Sequence, residues 1–159
     1  MREKVLFIIF FIFHSVFVVA QDVRFKEVEV LFENRNYSAA QAICKQIITS
    51  GYSDEAISYY HARCSKELFL SDALKLYQQY SSDFPYSRFS ENVNQDLALL
   101  HFNNKEYDRS IYFFNELSNI ESDNRLLFKL AYANFSVDSF SEASYYFSKL
   151  MAVESKYAS

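Results

Sequence analysis

A chain of 159 residues with 50% hydrophobic and 23% charged side chains can bury a core, which excludes a disordered or collagen-like protein. One Gly and one Pro exclude the turn-dense architecture of a many-stranded β fold, so an all-α protein of long helices and brief polar connections is expected. A formal net charge of −4 with no basic stripe speaks against nucleic acid as a partner.

The chain opens on Arg2 and Lys4 and continues as an apolar run from Val5 to Ala20, broken only by His14 and Ser15. This is the pattern of a signal peptide, residues 1–20, with Val18 and Ala20 as the small residues before a cut at Gln21. An uncleaved membrane anchor is the competing reading, disfavoured because the run is shorter than the ~20 residues that a membrane-crossing helix needs; after cleavage no membrane span is expected. No Cys follows the cut, which argues against a lipoprotein anchor. Loss of Arg2, Glu3 and Lys4 leaves the remainder one unit more acidic than the whole.

Beyond Gln21 the apolar periodicity predicts eight helices, at about 22–34, 38–50, 54–68, 71–82, 88–103, 107–119, 123–136 and 140–154. Ser53, Ser71, Ser122 and Ser139 stand where an N-cap is needed, and Ser139 with Glu142 has capping-box spacing. Asn34-Arg35-Asn36 and Asn103-Asn104 fit tight turns between paired helices, with Asn expected at the left-handed positions.

Self-comparison shows a repeat. Four segments carry a large residue, a small one three positions on, a bulky one four further and another bulky one three beyond: Tyr37, Ala40, Cys44, Ile47; Leu70, Ala73, Tyr77, Tyr80; Tyr107, Ser110, Phe114, Leu117; and Phe140, Ala143, Phe147, Leu150. Their starts are 33, 37 and 33 residues apart, and the 3, 4, 3 spacing lines one face of a helix. A partner helix upstream of each carries Val28, Ala62, Ala98 or Ala131, small enough for two helices to approach closely.

This pattern resembles the tetratricopeptide repeat over residues 22–154, most clearly at Asn36-Tyr37-Ser38-Ala39-Ala40 and Lys105-Glu106-Tyr107-Asp108-Arg109-Ser110. It departs from the family in having no Trp in any first helix, Ser110 in place of one Ala, and no closing Pro except Pro85. The resemblance implies an α-solenoid of four helix-turn-helix repeats, at about 21–53, 54–86, 87–121 and 122–154, wound as a right-handed superhelix. The linker Asp83-Phe84-Pro85-Tyr86-Ser87 is similar to the turn between repeats in periplasmic proteins of envelope assembly and cell-division coordination.

The residues that carry chemistry are few. His61 and His101 lie 40 residues apart on first helices and read as partly buried polar side chains; a metal site would need a further ligand. Neither HExxH nor CxxC occurs, and one Gly cannot build a phosphate loop. No Ser sits in a Gly-flanked turn with His and Asp at a recognisable spacing. No cofactor, no metal and no catalytic activity are expected. Cys44 and Cys64 fall on helices that should be neighbours, so a disulfide is allowed in an oxidising compartment, while two buried thiols are the preferred reading. Asn36-Tyr37-Ser38 and Asn134-Phe135-Ser136 fit the glycosylation triplet, with Asn134 inside a predicted helix.

Stacked hairpins line a concave face with their first helices. The side chains expected there are Tyr59, Arg63 and Lys66 in the second repeat, Gln95, Leu99 and Asn103 in the third, and Phe128, Tyr132 and Ser136 in the fourth. They suit an extended peptide with apolar and polar contacts. The carboxylate clamp of one subgroup of the family is not expected, because Phe25 and Glu29 stand where its Lys and Asn would be required. The expected function is an exported scaffold or adaptor for a protein or peptide, in a bacterial periplasm or at the outer membrane. The alternative is the structural N-terminal end, or a fragment, of a longer self-associating array. The last predicted helix supports that alternative: Tyr145, Tyr146, Phe147, Leu150, Met151 and Val153 exceed what one inward face can bury. Ser155 to Ser159 also echoes Ser87-Arg88-Phe89-Ser90, so further repeats or a second copy are expected to cover that helix.

Overall fold

The computed structural model describes residues 24–52 and 54–157. The expected signal peptide, its cut before Gln21 and the expected cap Ser53 lie outside the described residues. Eight α-helices and no strand occur among the described residues: α1 (24–33), α2 (Tyr37–Thr49), α3 (Glu55–Glu67), α4 (Ala73–Asp83), α5 (Ser90–Asn103), α6 (Tyr107–Asn115), α7 (Asn124–Ser136) and α8 (Phe140–Tyr157). They pair as four hairpins, and the chain divides into two compact units, one through Phe84 and one from Pro85.

Each hairpin turns in the same way. Arg35, Phe69, Lys105 and Asp138 have positive φ, between 54° and 62°. At each turn the left-handed residue donates its N–H to a carbonyl three residues back: Phe32, Lys66, Phe102 and Phe135. The residue after it donates to a carbonyl five back: Leu31, Ser65, His101 and Asn134. That pair of bonds is the Schellman motif, which satisfies carbonyls left open at the end of each first helix. The left-handed residues are not the Asn side chains expected from sequence, since Asn34 and Asn104 sit one place earlier.

Phe69 is the least suited of the four. An L residue in this conformation costs roughly 1–2 kcal/mol, and its side chain is 95% exposed, so little packing offsets the cost. Phe69→Gly is expected to stabilise the chain by about 0.5–1 kcal/mol after the entropy of glycine in the unfolded state is counted, readable in a chemical melt.

Several helix boundaries follow from specific side chains. Asp54 caps α3 by accepting the Ile57 N–H at 2.8 Å. Asp72, not Ser71, precedes α4, without a side-chain cap bond. Asp123, not Ser122, caps α7, accepting the N–H groups of Arg125 and Leu126. Ser122 ends a short 3-10 turn, Ile120–Ser122, where its hydroxyl donates to the Asn119 carbonyl. Helix α6 stops at Asn115 instead of the expected 119, because Glu91 accepts both the N–H and the hydroxyl of Ser118 at 2.9 Å and draws the chain away from the helical path.

In the first unit Val28, Ala40, Cys44, Ala62, Cys64 and Tyr77 are fully buried, and Ala73 and Tyr80 nearly so. Gln41 crosses from α2 to donate to Ser65 Oγ on α3 at 2.7 Å, so this buried polar pair in the seam is satisfied. In the second unit Ala98, Phe114, Leu117, Leu126 and Leu130 form one cluster. Ser110, where the repeat pattern favours Ala, is also fully buried and donates to the Ala98 carbonyl at 2.9 Å, so the departure from the pattern keeps its small size and gains a bond. At the α5–α6 turn buried His101 bonds Glu106 through Nδ1 at 2.6 Å and stacks on Phe113.

Candidate functional site: an arginine clamp and an aromatic face

In the first unit Tyr59 and Arg63 are one helical turn apart on α3, which brings the Arg63 guanidinium over the Tyr59 ring at 5.4 Å. Phe32 of α1 lies on the group's other contact, 4.3 Å from the guanidinium carbon. Arg63 therefore has two aromatic neighbours and no ion pair among the described residues, and its buried Nε has no hydrogen-bond partner. Beside it Tyr60 donates to Glu29 at 3.3 Å, and burial followed by the Glu29 charge pushes that phenol up to about 12. A guanidinium held in this way is pre-positioned for an acceptor and has spare donors.

In the second unit an aromatic face runs across α5, α6, α7 and α8. Tyr107 meets Phe102 at 5.6 Å and Tyr132 at 6.0 Å; Tyr132 stacks on Phe128 at 6.5 Å; Phe128 meets Phe147 at 5.9 Å. Tyr132 is 42% and Phe128 51% exposed, so their rings face solvent although both are packed on one side. Lys129 lies over Phe102, 4.4 Å from the ring centre. Beyond Phe128 an open groove of about 760 Å³ is lined by Asn124, Arg125, Phe128, Lys129, Phe147, Leu150 and Met151.

The structure treats the expected lining residues differently. Phe128, Tyr132, Gln95, Asn103 and Ser136 are exposed. Tyr59 is a correction: at 2% exposure it is core, packed on Tyr60 and Tyr80, and reaches the site only as a wall for Arg63. Leu99 packs against the second-unit cluster, and Lys66 pairs with Glu67 at 3.2 Å, so neither is a ready contact. Sequence reasoning missed Phe32, Phe102 and Lys129, and placed Tyr107 and Phe147 in the repeat pattern without assigning them to the lining. The signal for Phe32 was present, because it lies four residues after Val28 on a first helix, the relation that Phe102 bears to Ala98.

Cys44 and Cys64 are both buried as free thiols. Burial, with the nearby Cys64 adding to it, pushes Cys44 up to about 12, and burial pushes Cys64 up to about 11. Raised values disfavour the thiolate, the form that reacts. At pH 8 the folded chain is expected to resist iodoacetamide at both positions and to take two adducts only in denaturant; rapid labelling of the native chain, read by intact mass, would contradict this. Asn134, of the second glycosylation triplet, is buried and donates to the Leu130 carbonyl. No group of three His, Cys, Asp or Glu side chains that could hold a metal occurs among the described residues, and no helix among them is long and apolar enough to cross a membrane.

Four hairpins with small residues at each helix crossing and identical turns define a tetratricopeptide-like helical repeat protein of the α-solenoid class. No protein-family model matches the sequence, and no curated protein matches it. Among solved structures the chain is similar to "MamA AMB-1", with a TM-score of 0.71 at 16% identity over 84% of this chain and 73% of that one. It is also similar to "MamA MSR-1", with a TM-score of 0.64 at 16% identity over 83% of this chain and 73% of that one.

Proposed function

We propose that the chain is a non-enzymatic scaffold that holds a protein or peptide partner, and that it does so after export, in the cell envelope. The observation that carries the binding role is the aromatic face of the second unit: Phe128 and Tyr132 remain about half exposed in a fold class whose members bind through the faces of their stacked helices. Arg63 of the first unit, aromatic-flanked and without an ion pair among the described residues, offers a separate polar anchor for a carbonyl or carboxylate of a protein or peptide. Export rests on the charged start, apolar run and small-residue cut site at the head of the chain; N-terminal sequencing of the protein from its host should begin at Gln21, and a start at Met1 would refute export.

Cross-linking and pull-down from the native host test the binding role. Discrete protein partners are expected, and Arg63→Ala should reduce their capture by about tenfold, the loss of one charge-assisted bond, with helical content unchanged. Concentration-dependent self-association with no other protein captured would favour the second reading, a self-assembling array.

A further inference from the structure

The groove between α7 and α8 has a precedent inside the same unit. Phe114 and Leu117 of α6 are buried against Leu126 and Leu130 of the following first helix, α7. In the repeat register the counterparts of Phe114 and Leu117 are Phe147 and Leu150 of α8. These two are only half-buried and line the open groove. The first unit repeats the rule: Cys44 and Ile47 occupy the same two positions on α2, which packs against α3, and both are buried. At the α7–α8 hairpin, then, the receiving surface exists and its occupant does not appear among the described residues.

We propose that this groove docks an amphipathic helix of a partner protein that presents an aliphatic pair four residues apart with carboxylates beside it, as α7 presents Leu126 and Leu130 to α6. The aliphatic pair follows from the α6–α7 packing and from the apolar lining that Phe147, Leu150 and Met151 provide. The carboxylates follow from charge: no acidic residue lines the groove, and of its two cations Arg125 is paired with Asp123 at 3.1 Å whereas Lys129 makes no ion pair among the described residues. A second copy docking by its α1 fits less well. Aligned on Val28 and Ala131, α1 has exposed Glu27 where α7 has buried Leu130. This inference rests on the scaffold reading, and adds a second docking place to the Arg63 clamp.

The probe is a fluorescent synthetic helix with the sequence of residues 124–136 carrying Arg125→Glu and Lys129→Glu, titrated with the full chain and followed by anisotropy. Saturable binding is expected, about tenfold weaker for the unmodified basic peptide and for the chain carrying Lys129→Glu, a like-charge penalty of about 1.4 kcal/mol. Leu150→Asp should abolish it, and Arg63→Ala should leave it unchanged. Absence of saturable binding, or equal binding by both peptides, would overturn the proposal even if capture through Arg63 persists in the host. Sedimentation of the chain alone supplies the last arm: a dimer that disappears on Leu150→Asp would assign the groove to a second copy and overturn the partner helix.

Discussion

Phe114→Ala is expected to destabilise the chain by about 3–5 kcal/mol, the range for removing a large aromatic from a closed core. Phe114 has no exposed surface and stands at the centre of the cluster that ties α5, α6 and α7 together, among Ala98, Leu117, Leu126 and Leu130. Truncation removes the apolar contact and leaves a cavity that the flanking helices cannot close without moving Ser110 off its bond to the Ala98 carbonyl. Domains of this size have about 5–15 kcal/mol in all, so the loss should appear as a large fall in the urea midpoint. A change under 1 kcal/mol would mean that the cluster is not packed as described.

Ala143→Leu and Ala73→Leu are each expected to cost about 1–3 kcal/mol by the opposite route, overpacking. Both Ala residues are buried at the start of second helices, where α8 lies on α7 and α4 on α3. Three added carbons at such a crossing must push the partner helix away or force its side chains off their rotamers. Phe69→Gly offers an internal control, because it alters a turn of the same hairpin as Ala73 with the opposite expected sign. Melts that found both Ala changes neutral would refute the repeat register.

That register was legible because it depends on size alone: Val28, Ala62, Ala98 and Ala131 could be picked out as small residues at a constant phase, and all four are fully buried. The turns were legible in place but not in residue, since backbone geometry puts Arg35 and Lys105 rather than their Asn neighbours in the left-handed position. The end of α6 was not legible, because it depends on Glu91 reaching Ser118 from 27 positions away. The candidate site was legible in part. Helical phase located Phe128 and Tyr132 but could not show that Tyr59, at the corresponding place on α3, would be covered by other aromatics. Lys129 gave no signal, since its interest lies in having a ring instead of a carboxylate beside it.

The central claim is that the aromatic face of the second unit holds a protein partner. It is tested most directly by placing a photo-cross-linking phenylalanine analogue at position 132 and, in a separate chain, at position 112, then irradiating in the native host. Tyr132 belongs to the aromatic face, whereas Tyr112, 60% exposed on α6, does not line the groove or contact the rings of that face. The account predicts a discrete cross-linked protein from position 132 and little or none from position 112. Equal labelling from both positions, or none from position 132, would contradict it.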